Sequence, residues 1–147
     1  MLIGRDEIQA LIPHSGNMCL LAGVTAWDAT HISCTAHSHR NPDNPLAHHG
    51  KVYALSGIEF AAQAMAVHGG LTSLAGKRPR AGLLVSVRDV EARVKYLSEY
   101  ADDLHIEAEQ LMAGDSSVTY SFLIRAGAQE LLSGRATIVL DAGEIMR

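Results

Sequence analysis

Residues 54–68, Ala-Leu-Ser-Gly-Ile-Glu-Phe-Ala-Ala-Gln-Ala-Met-Ala-Val-His, constrain the fold more than any other stretch. Alanine, methionine and glutamine are good helix formers and no proline interrupts the run, so the stretch predicts a helix. From Ile58 to His68 only Glu59, Gln63 and His68 are polar, leaving a helix that is apolar nearly all round. Such a helix is buried on several sides. It is too short, and too polar at Glu59 and Gln63, to span a membrane. Something in the chain must therefore wrap around it. Glu59 and Gln63 are four residues apart and share one helix face, and a carboxylate on the first turn of a buried helix is the first place to look for chemistry.

The chain of 147 residues predicts one domain, long enough for a substantial core. A net charge of −4 argues against nucleic-acid binding as the main task. The opening Met-Leu-Ile-Gly-Arg-Asp-Glu lacks the pattern of a signal peptide, and no membrane-spanning run follows, so a cytoplasmic protein is expected. Cys19 and Cys34 lie in apolar or alternating stretches without metal-ligand spacing and read as free buried thiols.

Before the helix, Asp6 to Leu11 predicts a short helix stopped by Pro13, which also fixes the corner on which His14 sits. Met18 to Trp27 and His31 to Ser38 read as two strands joined at Asp28-Ala29-Thr30. Residues 39–53 form a long irregular segment containing Pro42, Pro45, His48 and His49. After the helix, which weakens from Gly69 to about Leu74, the hydrophobic period becomes two. Strands are predicted over Leu83 to Val90, with Val94 to Tyr96 as a continuation, and over Leu104 to Met112, Ser117 to Arg125 and Gln129 to Leu140. The short turns at 113–115 and 126–128 make the last three antiparallel neighbours. The expected architecture is α+β: five or six antiparallel strands curled around one long helix.

Two stretches of the chain resemble the 3-hydroxyacyl-acyl-carrier-protein dehydratases of the hotdog fold. Leu11-Ile12-Pro13-His14 with Met18-Cys19-Leu20-Leu21 is similar to that family's Leu-Pro-His and aromatic-Leu-Leu segment. Gly57-Ile58-Glu59-Phe60-Ala61-Ala62-Gln63-Ala64 is similar to its acid-bearing helix. The order of motifs and the later strands also fit, with the branch associated with aryl polyene clusters most similar. The chain departs from the pattern at Ser15, where arginine commonly stands, and at Tyr53-Ala54, where the family has Pro-Gly. His48-His49-Gly50 replaces a His-Phe-Pro loop.

The resemblance implies dehydration of a carrier-bound 3-hydroxyacyl thioester to the trans-2-enoyl product, without cofactor or metal. His14 would remove the α-proton and Glu59 would protonate the departing hydroxyl. The Ala54 amide would stabilise charge on the thioester carbonyl. Gly57 would belong to the substrate-binding start of the helix, and Gln63 would orient Glu59 or line the acyl channel. A homodimer, or a heterodimer with a related subunit, is the expected assembly.

Other readings of the same residues remain. Ser56-Gly57-Ile58-Glu59 also fits a capping box, which would make Glu59 structural. His37, His39, His48 and His49 suggest a metal site, but only Asp43 joins them at useful spacing, so loop or pocket-lining roles are expected. Lys77-Arg78-Pro79-Arg80 reads as a solvated loop or as a landing patch for an acidic carrier, with Arg88, Arg93 and Lys95 as further candidates. An acyl thioesterase of the same fold and a non-catalytic subunit are the rival functions.

Overall fold

The structure, a computed structural model, describes residues 2–12, 16–72 and 82–140. A two-residue strand β1 (Ile3–Gly4) leads into helix α1 (Arg5–Leu11), followed by β2 (Gly23–Trp27) and β3 (His31–Ala36). A 3-10 turn over Ala54–Ser56 opens the long helix α2 (Gly57–Thr72). Strands β4 (Gly82–Ala92), β5 (Leu104–Ala113), β6 (Ser117–Ala126) and β7 (Gln129–Leu140) complete the chain. All seven strands form one antiparallel sheet in the order β1-β2-β3-β5-β6-β7-β4. The connection through α2 carries the chain from β3 to the opposite edge, so β4 pairs with β7 rather than with its predecessor.

Alternation on the strands explains why one sheet face accepts the helix. Cys34, Ile106, Ile124 and Leu132 are register partners across four successive strands, and all four are buried. This row supplies the apolar floor that a helix without a broad polar face requires. Contact is closest at Gly57. A Cβ there would stand 2.8 Å from Leu132 Cδ2 and 2.9 Å from Ile124 Cδ1, so the helix start can approach the sheet only because the residue is glycine.

Two expectations for β2 and β4 differ from what is found. The strand expected from Met18 begins only at Gly23, because a 3-10 turn (Gly16–Met18) and an extended segment held by α2 precede it. Tyr96 does not extend β4 along β7. It bridges to Tyr53, and the Leu97 amide donates to the Val52 carbonyl at 2.7 Å, so this segment pairs with the chain entering α2. β1 is too short to leave a periodic signal.

At the far end of α2, His68 is fully buried and its ring determines its own tautomer. Nε2 lies 2.9 Å from the Asp28 carbonyl, which can only accept, so Nε2 carries the proton. Nδ1 then accepts from the Tyr120 hydroxyl at 2.7 Å. Burial, the largest influence, holds the His68 pKa below its ordinary value of 6.5. His39, also buried, is held low chiefly by the same cause, with its Nε2 at 2.9 Å from the Tyr100 carbonyl.

These contacts give two stability predictions. Tyr120→Phe removes the donor to His68 Nδ1 and should destabilise the fold by about 1–3 kcal/mol. Both histidines bind protons more weakly folded than unfolded, so their contribution is present above pH ~6.5 and is lost as pH falls toward their depressed folded values. Urea midpoints at pH 8 and pH 5 check both effects, and Tyr120→Phe should lower the midpoint at each pH. A third prediction is that Gly57→Ala lowers stability by about 1–3 kcal/mol through overpacking against Leu132 and Ile124, read from the same titration.

Candidate active site

Most of α2 is enclosed, with Phe60, Ala61, Ala64, Met65, Val67 and His68 all buried. Glu59 and Ala66 are exposed, Ala62 between them is half-buried, and Gly69 is exposed further along. At positions 59, 62, 66 and 69 these residues fall on one line along the helix. The helix is thus not covered on every side as its composition suggests. It keeps one narrow open stripe of small side chains, with Glu59 at its N-terminal head.

The capping-box alternative for Glu59 fails on geometry. The 3-10 turn places Ser56 inside a helical segment, and its amide donates to the Tyr53 carbonyl at 3.0 Å. No hydrogen bond joins Ser56 to Glu59, and the Glu59 carboxylate has no hydrogen-bond or ion-pair partner among the described residues. Nothing in the described fold uses this carboxylate.

Gln63 lies one turn on, but it is buried where Glu59 is exposed. Its Oε1 accepts from the Leu20 amide at 2.9 Å, and its Nε2 donates to the Met18 carbonyl at 2.7 Å. Both ends of its carboxamide are thus bonded to the chain beside α2. Arg5 donates to the Gly16 carbonyl and Ser38 Oγ donates to the Leu20 carbonyl at 2.7 Å, so residues 16–20 are held from three sides. His14 and Ser15 lie outside the described residues, as does the basic run Lys77-Arg78-Pro79-Arg80.

The two remaining residues expected to bind substrate both lie at the entry to α2. The Ala54 amide donates to the Lys95 carbonyl at 2.9 Å, which leaves it no proton for an oxyanion. Gly57 faces the packed Leu132 and Ile124 side chains, in close helix–sheet contact.

A different feature occupies the approach to α2. A cleft of about 450 Å³ opens between Tyr53, Ala54 and Leu55 on one side and Ala92, Val94 and Lys95 on the other. At its rim the Tyr53 and Tyr96 rings lie 5.1 Å apart, centre to centre. Lys51 Nζ stands 4.8 Å and Lys95 Nζ 5.4 Å from the centre of the Tyr96 ring. Just upstream, His48 and Lys51 close a tight turn in which His49 takes φ 52° and Gly50 φ 77°. The His48 and His49 rings meet edge to face at 4.3 Å. Sequence reading singled out neither Lys51 nor the tyrosines. The available signal was that Lys51-Val52-Tyr53 and Val94-Lys95-Tyr96 are both short alternating triplets able to pair.

Among the described residues, His37, His39, His48 and His49 do not gather into one cluster of potential ligands. β3 ends at Ala36, so His37 and His39 never share a strand face, and His39 is committed to Tyr100. No group of three or more potential ligands occurs among the described residues. Cys19 and Cys34 are free and buried, and burial pushes the Cys34 thiol up to about 12. No helix among the described residues is long and apolar enough to cross a membrane.

An antiparallel sheet packed on one long helix, with an unpartnered acid at the helix start, defines a hotdog-fold domain. The family description "ApeP-like: ApeP dehydratase" matches residues 6–145, and the chain belongs to that dehydratase family. The dehydratase heterocomplex ApeI:P from Xenorhabdus doucetiae is similar in structure, with a TM-score of 0.83 at 20% identity, covering 95% of this chain and 97% of that one. A mutant thioesterase from Pseudomonas aeruginosa matches with a TM-score of 0.67 at 10% identity, covering 95% of each chain. The E. coli PaaI protein matches with a TM-score of 0.60 at 14% identity, over 79% of this chain and 80% of that one. No curated protein matches the chain significantly.

Because Gln63 holds Met18 and Leu20 from inside the core, Gln63→Leu should leave both backbone groups unpaired. The expected cost is about 1–3 kcal/mol per buried group left unsatisfied. Limited proteolysis should show earlier cleavage around residues 16–20 than in the wild type, and an unchanged pattern would remove the clamp from the account.

Proposed function

We propose that this chain acts in the dehydration of 3-hydroxyacyl thioesters, carried on an acyl carrier protein, to trans-2-enoyl thioesters. The observation that carries the proposal is Glu59: an exposed carboxylate without a described partner, on the first turn of a helix otherwise enclosed by its own sheet. Membership of a dehydratase family supports the reaction class. In this reading Glu59 protonates the departing 3-hydroxyl while a histidine takes the α-proton. His14 is the proposed base, on the strength of its resemblance motif.

A carboxylate left open in its own subunit suits a site completed by a second one. The solved relative is a heterocomplex, which supports assembly with a related subunit, and the alternative is a two-fold homodimer. In either assembly a histidine of one subunit would face Glu59 of the other. No cofactor enters this scheme, because acid and base together move both protons of the elimination.

Activity is tested by offering the protein a 3-hydroxyacyl and a saturated acyl thioester and following enoyl formation and free thiol. Dehydration gives enoyl product from the first alone, whereas thiol release from both would make the protein a thioesterase. Glu59→Gln and His14→Ala should each lower dehydration by at least about 10²-fold with the fold intact. His48→Ala and His49→Ala serve as comparisons, and a comparable loss at either would move the base to that turn. For a shared site, co-refolding the two inactive variants should restore about a quarter of wild-type activity, since about half the dimers are mixed and each holds one intact site. If the wild type is silent until a related subunit is added, it belongs to a heterodimer.

A further inference from the structure

The face of the sheet turned away from α2 carries its charges in order. Register partners on adjacent strands point to one face, and His31, Glu109, Ser121, Arg135 and Arg88 are partners in turn across β3, β5, β6, β7 and β4. Their chain neighbours Ile32, Ala108, Tyr120 and Ala136 are buried on the helix side, so this row faces outward. Acid stands on one side of Ser121 and arginine on the other. With adjacent strands about 4.8 Å apart, the backbones at Glu109 and Arg135 are roughly 10 Å from each other. Glu109 has no ion-pair partner among the described residues. Arg135 meets Asp89 at 3.8 Å, with both side chains more than half exposed. Arg93 shows the opposite arrangement, set 3.0 Å from Glu91 and 3.4 Å from Glu130 within its own subunit.

One step along, the next row repeats the order: Glu107 on β5, half-buried Leu123 on β6 and Ser133 on β7. A shallow hollow of about 210 Å³ opens here, bordered by His31, Glu107, Glu109, Ser121 and Leu123. Charges sorted into columns on either side of a neutral strand are self-complementary. A two-fold axis running along β6 lays β5 of one copy over β7 of another, so acid meets arginine twice. We infer that the outer sheet face docks the same face of a second copy of this chain, Glu109 of each copy pairing with Arg135 of the other around Leu123 at the axis. The arginine enters the hollow between the β5 carboxylates, and the small Ser121 and Ser133 let the sheets close to about 10 Å. Arg125 approaches its own copy, but it stands near the end of β6, donating to the Gly127 carbonyl at 2.9 Å, where twisted sheets diverge. This contact goes beyond the dehydratase reading and does not depend on it, because Glu59 lies on the helix that packs against the other face.

Sedimentation velocity over a concentration series tests the contact on the full chain, with a related subunit added if the protein requires one. Glu109→Arg and Arg135→Glu each create two like-charged contacts and should raise the half-association concentration at least about tenfold, halving the particle at working concentration. The halving runs from tetramer to dimer where the Glu59 site is also completed by a second subunit, and from dimer to monomer where it is not, so the two readings fail separately. Mixing the two variants sets the introduced arginine of one opposite the introduced glutamate of the other and should restore the larger particle. The double variant Glu109→Arg/Arg135→Glu should do the same alone. Recovery on mixing is a result that misfolded variants cannot give. A particle size untouched by either reversal would overturn the inference, as would loss in both variants, shown folded by circular dichroism, without recovery on mixing.

Discussion

A single buried carboxamide organises the region around the helix. Gln63 sits in the interior of an apolar helix, where an unpaired amide would be costly, and it meets that requirement by bonding Met18 and Leu20. The consequence reaches beyond the pair. Residues 18–22 have the composition of a strand, yet part of their backbone bonding goes to a side chain, so β2 starts at Gly23. The chain before β2 is therefore free to run beside the helix instead of joining the sheet. Arg5 and Ser38 hold the same segment from outside, which makes the path a fixed one.

The helix start shows how packing and chemistry share a few residues. Gly57 turns toward the sheet and allows close approach, while Glu59, two residues later, turns away from it. Ala54, just before, uses its amide to pair with Lys95 and so joins the helix entry to the end of β4. These are one construction: the 52–54 and 95–97 segments pair, the cleft opens beside them, and the helix emerges with its carboxylate uncovered. A subunit built this way leaves the Glu59 carboxylate exposed, with no described group of its own engaging it.

Much of this was legible from sequence, and the failures have physical causes. The helix, the antiparallel β5-β6-β7 set and the α+β class follow from hydrophobic period, which local residues alone determine. Glu59 draws notice in the sequence because a carboxylate in an apolar run stands out, and in the structure it is exposed. The contacts of Ala54, Gly57 and Gln63 were not legible, because each meets a partner distant in the chain: Lys95 for Ala54, Leu132 and Ile124 for Gly57, Met18 and Leu20 for Gln63. The all-round apolar character of α2 also hid its open stripe, since alanine and glycine carry no pattern that separates a covered face from an open one. Lys51 and Lys95 are 44 positions apart, and only pairing across the helix entry brings them to one ring.

That open stripe separates two kinds of mutational cost along one helix. At Ala61 and Ala64 any added volume meets a packed sheet, so the folded state itself disfavours change. At Ala62 and Ala66, on the stripe, a larger side chain projects outward and meets little resistance from its own subunit. Variation there is filtered by whatever lies over the stripe, not by folding. The helix thus holds one set of positions fixed by stability and another left available for drift and selection, and the acid heads the second set. A lineage can remodel that face in small steps without first acquiring compensating stability, which is the condition under which a scaffold diversifies its ligands.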